Sequence, residues 1–254
     1  MAGRKQRAMP KIFALVPAAG QGTRIGDAVP KQYLPLAGKP MMFHSIETLA
    51  GVARIEAVLV ILSPMDRHWG AHDWSAFPDK IEPVFAGGNE RARSVLNALV
   101  HLEGRAERDD WVLVHDAARP CVSARMVEQF LDEVGDDPVG GLLAMPVADT
   151  LKSADEMQRA AATVPRTGLW RAQTPQMFRY ALLLRALAHS IGVTDESQAI
   201  EALGHAPRLV QGENTNIKVT FPEDVALAEM ILGLKGATRR AVEQAAADRD
   251  PALQ

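Results

Sequence analysis

Through its first 147 residues the chain alternates short apolar runs with amphipathic stretches. Ile12 to Val16, Ile55 to Leu62, Val84-Phe85, Trp111 to His115 and Gly141 to Val147 have strand length and little polar character, the pattern of strands buried on both faces. Between them, apolar residues recur at helical spacing. Met42, Phe43, Ile46 and Leu49 follow Pro40, Val95, Leu99 and Leu102 form a second set, and Met126, Phe130 and Val134 follow Ser123, a residue able to cap a helix. Strands alternating with helices predict an α/β fold with a doubly wound, mostly parallel sheet and right-handed crossovers.

The rhythm changes at Ala148. Asp149-Thr150-Leu151-Lys152 leads into a polar span to Thr163, then Pro165-Arg166 and Trp170 to Gln176, with no crossover-helix pattern, which predicts a two-stranded excursion from the sheet, with an arm over approximately residues 148–170. Tyr180 to Ile191 reads as a helix, and Thr194 as the cap of the next, with Asp195 and Glu196 in its first turn. Leu209-Val210 and Ile217 to Val219 read as strands. Pro222 opens an amphipathic helix with Glu223 and Asp224 near its positive end. No linker or repeat divides the chain, so a single domain over residues 12–235 is expected, between a disordered tail at 1–11 and an alanine-rich, charged tail at 236–254. Trp69 and Trp74 are expected to cover the sheet.

With 254 residues, 47% hydrophobic and 23% charged, the chain can bury a sizeable core. A formal charge of −3 argues against broad binding to nucleic acid or membrane surfaces. No apolar run approaches the ~18 residues of a membrane span. The basic opening is followed by too short an apolar run for a signal peptide, so the expected location is the cytoplasm. Cys121 is the sole cysteine, which excludes an intrachain disulfide and a cysteine-based zinc site, and it reads as a small packing residue.

Ligands of a doubly wound sheet sit outside the carboxyl ends of its strands. Three polar loops fall there: Ala18–Arg24, Gly87–Arg91 and Asp116–Arg119. In the first, small residues let a ligand approach the backbone, and successive N–H groups can point at one anion. Arg24 and, behind Pro30, Lys31 add full positive charges, completing a phosphate-holding loop. It is not a Walker loop, because Gly22-Thr23-Arg24 lacks the Gly-Lys-Ser/Thr ending. A dinucleotide fingerprint fails too, since Gly26 comes one residue late and the strand to Leu62 ends in Ser63-Pro64 rather than an acid. The glycine pair Gly87-Gly88 taken alone reads better as a plain helix-entry loop. Asp116, at a strand end, can hold a magnesium–phosphate complex, accept from hydroxyls, or cap the approach to a helix. His115 reads as a packed strand-end residue, and Arg166 and Lys218 taken singly as surface cations.

The segments PAAGQGTRIG, PKQYLPLAGKP and VHDAARP, with Asp149-Thr150, Arg166 and Asn216-Ile217-Lys218-Val219-Thr220, resemble the 2-C-methyl-D-erythritol 4-phosphate (MEP) cytidylyltransferase family of the non-mevalonate isoprenoid pathway. The resemblance covers the chain from about Ile12 to Leu232. It implies a Rossmann-like nucleotidyltransferase fold with a protruding β-arm for dimerisation, and transfer of CMP from CTP to MEP with release of pyrophosphate. It implies Mg²⁺ and a homodimer in which the arm residue Thr150 reaches the partner's substrate. By the same resemblance Arg24 and Lys31 stabilise the transition state, while Arg166 and Lys218 orient MEP. Pro17, Ala18, Ala19, Gly20, Gly22, Gly87, Gly88, Asn89, Ser94 and Ala117 would bind CTP. Asp116 and Arg119 would lie near the sugar phosphate, Asp116 as the candidate metal ligand, and Thr174 would face substrate beside Ala172 and Gln176. The family often carries an acid where Asn89 stands, and an amide can accept the same hydrogen bond. The cyclising enzyme fused to some relatives is not expected here.

Three rival readings remain at this point. A sister cytidylyltransferase acting on ribitol 5-phosphate would share fold and donor, although Asp116–Pro120 and the segment around Trp170 fit the MEP branch better. An NAD(P)-dependent oxidoreductase is disfavoured by the failed fingerprint. A nucleotide sensor without turnover would leave Arg24 and Lys31 without a task.

Overall fold

The computed structural model describes residues 9–20, 29–75 and 79–247, with side chains through residue 234. The chain opens with β1 (Ile12–Pro17), passes a short 3-10 turn at Lys31–Tyr33, and makes a tight hairpin of β2 (Pro35–Leu36) and β3 (Lys39–Pro40). Ala37 and Gly38 form its turn with φ of 46° and 80°, the left-handed geometry of a two-residue hairpin. Then follow α1 (Met41–Gly51), β4 (Ala57–Ile61), β5 (Ile81–Val84), α2 (Arg91–His101), β6 (Trp111–Val114), α3 (Ala124–Val134) and β7 (Gly140–Pro146). Beyond the arm strands β8 (Leu151–Ala154) and β9 (Ala160–Val164) come β10 (Trp170–Arg179), α4 (Tyr180–Ala188), α5 (Glu196–Ala202), β11 (Arg208–Gln211) and α6 (Pro222–Ala247).

Seven strands form the main sheet in the order β11-β7-β10-β6-β1-β4-β5. All run parallel except β10, which pairs antiparallel with both β6 and β7. The side-chain alternation of β1 divides the core. Ile12, Ala14 and Val16 join the cluster under α1 and α3, whereas Phe13 and Leu15 join the cluster under α2, α4 and α5. Helices thus cover both faces, and the predicted doubly wound architecture holds. A smaller cluster, with Leu36, Met41, Cys121, Val219 and Ala228, docks α6 on the β2–β3 hairpin. Trp69 and Trp74 stack with ring centroids 3.9 Å apart and pack on the first cluster, as a cover.

Four local expectations need correction. Ile217 to Val219 is not a strand: it crosses the end of the sheet with one ladder-like bond, from Val219 N–H to Ala118 O at 2.8 Å, and buries Val219 under α6. The segment Trp170–Gln176 enters the main sheet as part of β10. Asp195, not Thr194, caps α5, because its carboxylate accepts from Gln198 N–H at 2.9 Å, while the Thr194 N–H turns to the Gln198 side chain. The helix from Tyr180 ends at Ala188, where the Ser190 hydroxyl takes the Ala186 carbonyl and Gly192 reverses the chain at φ 69°. The backbone of α6 runs to Ala247, so helix continues into the alanine-rich stretch beyond Gly236.

The arm is a separate two-stranded sheet, as its pattern predicts. Residues 154–172 are all exposed. Among the described residues no helix is long and apolar enough to cross a membrane.

Ser123 caps α3 as read from the sequence, its hydroxyl accepting from Met126 N–H at 3.2 Å. Ser123→Ala should therefore lower stability by about 1 kcal/mol. Urea unfolding should show a lower midpoint at unchanged m. An unmoved midpoint would contradict the cap.

Candidate active site

The loop leaving β1 is held against its neighbours by the backbone. Ala18 N–H donates to Ile61 O and Gly87 N–H to Leu62 O, both at 2.8 Å, so the ends of β1, β4 and β5 converge. A Cβ at Gly87 would sit 2.8 Å from the Leu62 carbonyl oxygen and collide with the Ala19 methyl, which is why the close approach requires glycine. Ser94, one turn into α2, fixes the next residues. Its hydroxyl accepts from Gly88 N–H at 3.0 Å and donates to Glu90 O at 3.1 Å.

The 3-10 turn closes the cleft from the other side. Buried Gln32 donates to Ala18 O at 2.6 Å, and buried Tyr33 donates its hydroxyl to Asp66 at 2.9 Å. With both neighbours anchored, Lys31 is brought to the cleft wall, where its ammonium donates to Val219 O. The resulting cleft of ≈ 360 Å³ is lined by Pro17 to Gly20, Lys31, Gln32, Gly88 to Arg91, Ser94, Asp116 to Ala118 and Lys218. A smaller pocket of ≈ 150 Å³ shares Arg91, Asp116 and Lys218 with it and adds Arg119, Thr174, Gln176, Thr194 and Asp195.

Asp116 stands where the two meet. Arg91 Nε donates to its Oδ1 at 2.8 Å and Lys218 Nζ to its Oδ2 at 2.8 Å, with Arg119 Nε at 4.0 Å. Burial alone would push the Asp116 carboxyl up, but Arg91 and Lys218 outweigh it and hold it well below the usual carboxylate range. Arg91 also grips fully buried Glu196 with its two terminal nitrogens, at 2.7 and 3.0 Å. Arg119 spends its terminal nitrogens on the carbonyls of Asn216 and Ala172, and its buried Nε–H has no hydrogen-bond partner among the described residues.

Beneath Asp116 the protons can be assigned. Asp116 N–H donates to Thr174 Oγ1 at 3.0 Å, and Thr174 Oγ1 lies 3.1 Å from His115 Nδ1. Burial lowers the His115 imidazole from its usual 6.5 to about 4, so the ring is neutral at pH 7. The threonine proton then goes to Nδ1, and Nε2–H donates to Arg119 O at 3.1 Å. Thr174 therefore meets a ligand as an acceptor.

Most expected site residues converge here. Pro17, Ala18, Ala19, Gly20, Lys31, Gly88, Asn89, Ser94, Asp116, Ala117 and Lys218 line the cleft, Gly87 underlies it, and Arg119 and Thr174 line the adjoining pocket. Arg24 and Gly22 lie outside the described residues. Thr150 and Arg166 do not join them: both are exposed on the arm and line neither pocket. Arg91, Glu196, Gln32 and Asp195 were not picked out as site residues from the sequence, although Arg91 closes the glycine-pair loop and Asp195-Glu196 opens a helix. As a magnesium ligand, Asp116 meets a difficulty, since both its oxygens already hold protein cations. Among the described residues no group of three or more His, Cys, Asp or Glu side chains could hold a metal ion. The donor set is not a metal cage.

A mostly parallel sheet that delivers backbone amides and two lysines to one cleft at its strand ends suits the phosphates of a nucleotide. The family model described as IspD, 2-C-methyl-D-erythritol 4-phosphate cytidylyltransferase, matches residues 12–234, and the chain belongs to that family. The protein of that name from an Azoarcus species is 56% identical over 223 residues, covering 88% of this chain and 94% of its own. The one from Nitrosospira multiformis is 56% identical over 228 residues, covering 88% and 98%. A crystal structure of 4-diphosphocytidyl-2C-methyl-D-erythritol synthase matches with TM-score 0.79 at 38% identity, over 88% of this chain and 99% of that one. The family and fold expected from the sequence both stand.

His115 carries a pH signature. Its folded value lies below its unfolded one, so its contribution to stability is complete above pH 6.5 and is lost as pH falls toward 4. That loss amounts to about 3 kcal/mol. His115→Gln should flatten the wild-type decline in unfolding free energy across this window. Parallel slopes for the two proteins would show that the ring titrates normally.

Proposed function

We propose that the protein transfers CMP from CTP to MEP in the cytoplasm, releasing pyrophosphate and forming 4-diphosphocytidyl-2-C-methyl-D-erythritol. The observation that carries this reading is the junction of two pockets at Asp116 and Lys218, in a chain of this family. CTP fills the larger cleft, its base at Gly87 to Asn89 and its phosphates over the amides of Ala18 to Gly20. MEP fills the smaller pocket, its hydroxyls donating to acceptors such as Thr174 and its oxygens taking up the unpaired Nε–H of Arg119.

The MEP phosphate oxygen attacks the α-phosphorus of CTP in line. A new P–O bond forms as the α–β bridging bond breaks, and the electron pair leaves with pyrophosphate. An ionised phosphate is already a nucleophile, so no side chain need act as base. Catalysis is then positioning plus charge stabilisation, supplied by Lys31, Lys218 and, from the first loop, Arg24. Mg²⁺ bound with the triphosphate would neutralise part of its charge; among the described residues no group of three or more His, Cys, Asp or Glu side chains is placed to hold it.

The arm makes the enzyme a homodimer. A two-stranded hairpin with both faces exposed buries no core of its own, and Val164, Leu169 and Trp170 remain partly uncovered on and beside it. Lodged against a partner, it would carry Thr150 and Arg166 to the partner's acceptor pocket.

Pyrophosphate release from CTP and Mg²⁺ should require MEP and be absent with ribitol 5-phosphate. Release with ribitol 5-phosphate alone would overturn the acceptor. Lys31→Ala should reduce turnover by about 10²–10³. Arg166→Ala should also be impaired, and mixing the two variants should restore roughly a quarter of wild-type activity, since half of randomly assorted dimers are mixed and each holds one intact site. No recovery from re-associated chains would place the arm in its own protomer's site.

A further inference from the structure

Glu196 has no part in the reaction as described, yet its carboxylate is completely enclosed in the first turn of α5. Both oxygens accept from Arg91, Oε1 from Nη1 at 2.7 Å and Oε2 from Nη2 at 3.0 Å. The remaining nitrogen, Nε, donates to Asp116 Oδ1, and Lys218 takes Oδ2, each at 2.8 Å. A planar guanidinium held by two nitrogens has one orientation, and that orientation aims the third. Burying such a pair brings little net stability, because desolvation opposes the attraction. Its geometric consequence is larger: one oxygen of a cleft carboxylate is fixed, and the other is left to the lysine at the pocket junction. Within this cluster three cations, Arg91, Arg119 and Lys218, face the two carboxylates of Asp116 and Glu196.

We propose that Glu196 is a positioning residue for nucleotidyl transfer, acting through Arg91 to orient Asp116 and thereby to place Lys218 between donor and acceptor. The proposal rests on the reading that Asp116 and Lys218 serve the reaction. Its test compares wild type with Glu196→Gln, with the double variant Arg91→Met/Glu196→Leu, and with Asp116→Asn, by steady-state kinetics on CTP and MEP and by thermal unfolding.

Glu196→Gln should lower kcat by about 10–10²-fold, the scale of a small misplacement of catalytic groups, with KM for CTP within about twofold. The double variant removes both buried charges together and so can keep its Tm. It should show a similar kcat loss, with KM for CTP again within about twofold. A merely structural tie would lower Tm and leave kcat in place. Wild-type kcat in either folded clamp variant overturns the proposal. If Asp116→Asn also turns over normally, the site reading fails as a whole. If Asp116→Asn is impaired while the clamp variants are fully active, only the role of Glu196 is lost.

Discussion

Asp116 is buried, and a buried carboxylate stays ionised only where cations surround it. Arg91 arrives from the start of α2, Lys218 from the segment ahead of α6, and Arg119 from the loop of Asp116 itself. Meeting that one requirement ties together parts of the chain that are remote in sequence. It accounts for the course of residues 217–219, which would gain ladder bonds as an edge strand. They instead cross the strand ends, where Val219 N–H meets Ala118 O, the Val219 carbonyl takes Lys31, and Lys218 reaches Asp116. The lysine of the 3-10 turn and the lysine near the C-terminal helix thus share one short piece of backbone.

The parallel scaffold was legible because strands buried on both faces write continuous apolar runs. Ile12 to Val16 and the run through Ala57 to Ile61 need no partner information to be recognised. The antiparallel β10 was not legible, and the reason is chemical. Gln173-Thr174-Pro175-Gln176 is polar and holds a proline, a combination that argues against a central strand. It is tolerated because the register with β7 shifts between Ala172 and Gln176, a bulge that re-aims the side chains. Their polar groups then find distant partners: Thr174 at Asp116 and His115, Gln173 at Glu213, Gln176 at Asp195. No local pattern encodes those pairings.

The same limit applies to the site. The first loop and Asp116–Pro120 could be read as chemistry because several unusual residues stand side by side. Arg91 and Glu196 are 105 positions apart, and each alone looks like an ordinary residue at a helix start. Thr194 and Asp195 show the limit at closer range. Either residue type can cap a helix, and the choice fell to the carboxylate that reaches Gln198 N–H, with the threonine left beside the smaller pocket.

The arm poses a different problem, because its destination lies off the chain. Pattern alone predicts that residues 148–170 leave the sheet, and they do, but a hairpin exposed on both faces has no position of its own relative to the cleft. Under the proposed function, donor and acceptor binding would therefore be supported unequally by one chain. The larger cleft is built from strand-end loops whose backbones are bonded to the sheet, so under the proposed reading a nucleotide would meet a preformed surface. The smaller pocket has a rigid floor in Thr174 and Asp116, yet the residues assigned to complete its acceptor contacts, Thr150 and Arg166, are carried elsewhere. Under the proposed trans arrangement, association would complete the acceptor pocket without altering the nucleotide cleft. Dimerisation would then act on transfer, and only weakly on nucleotide affinity.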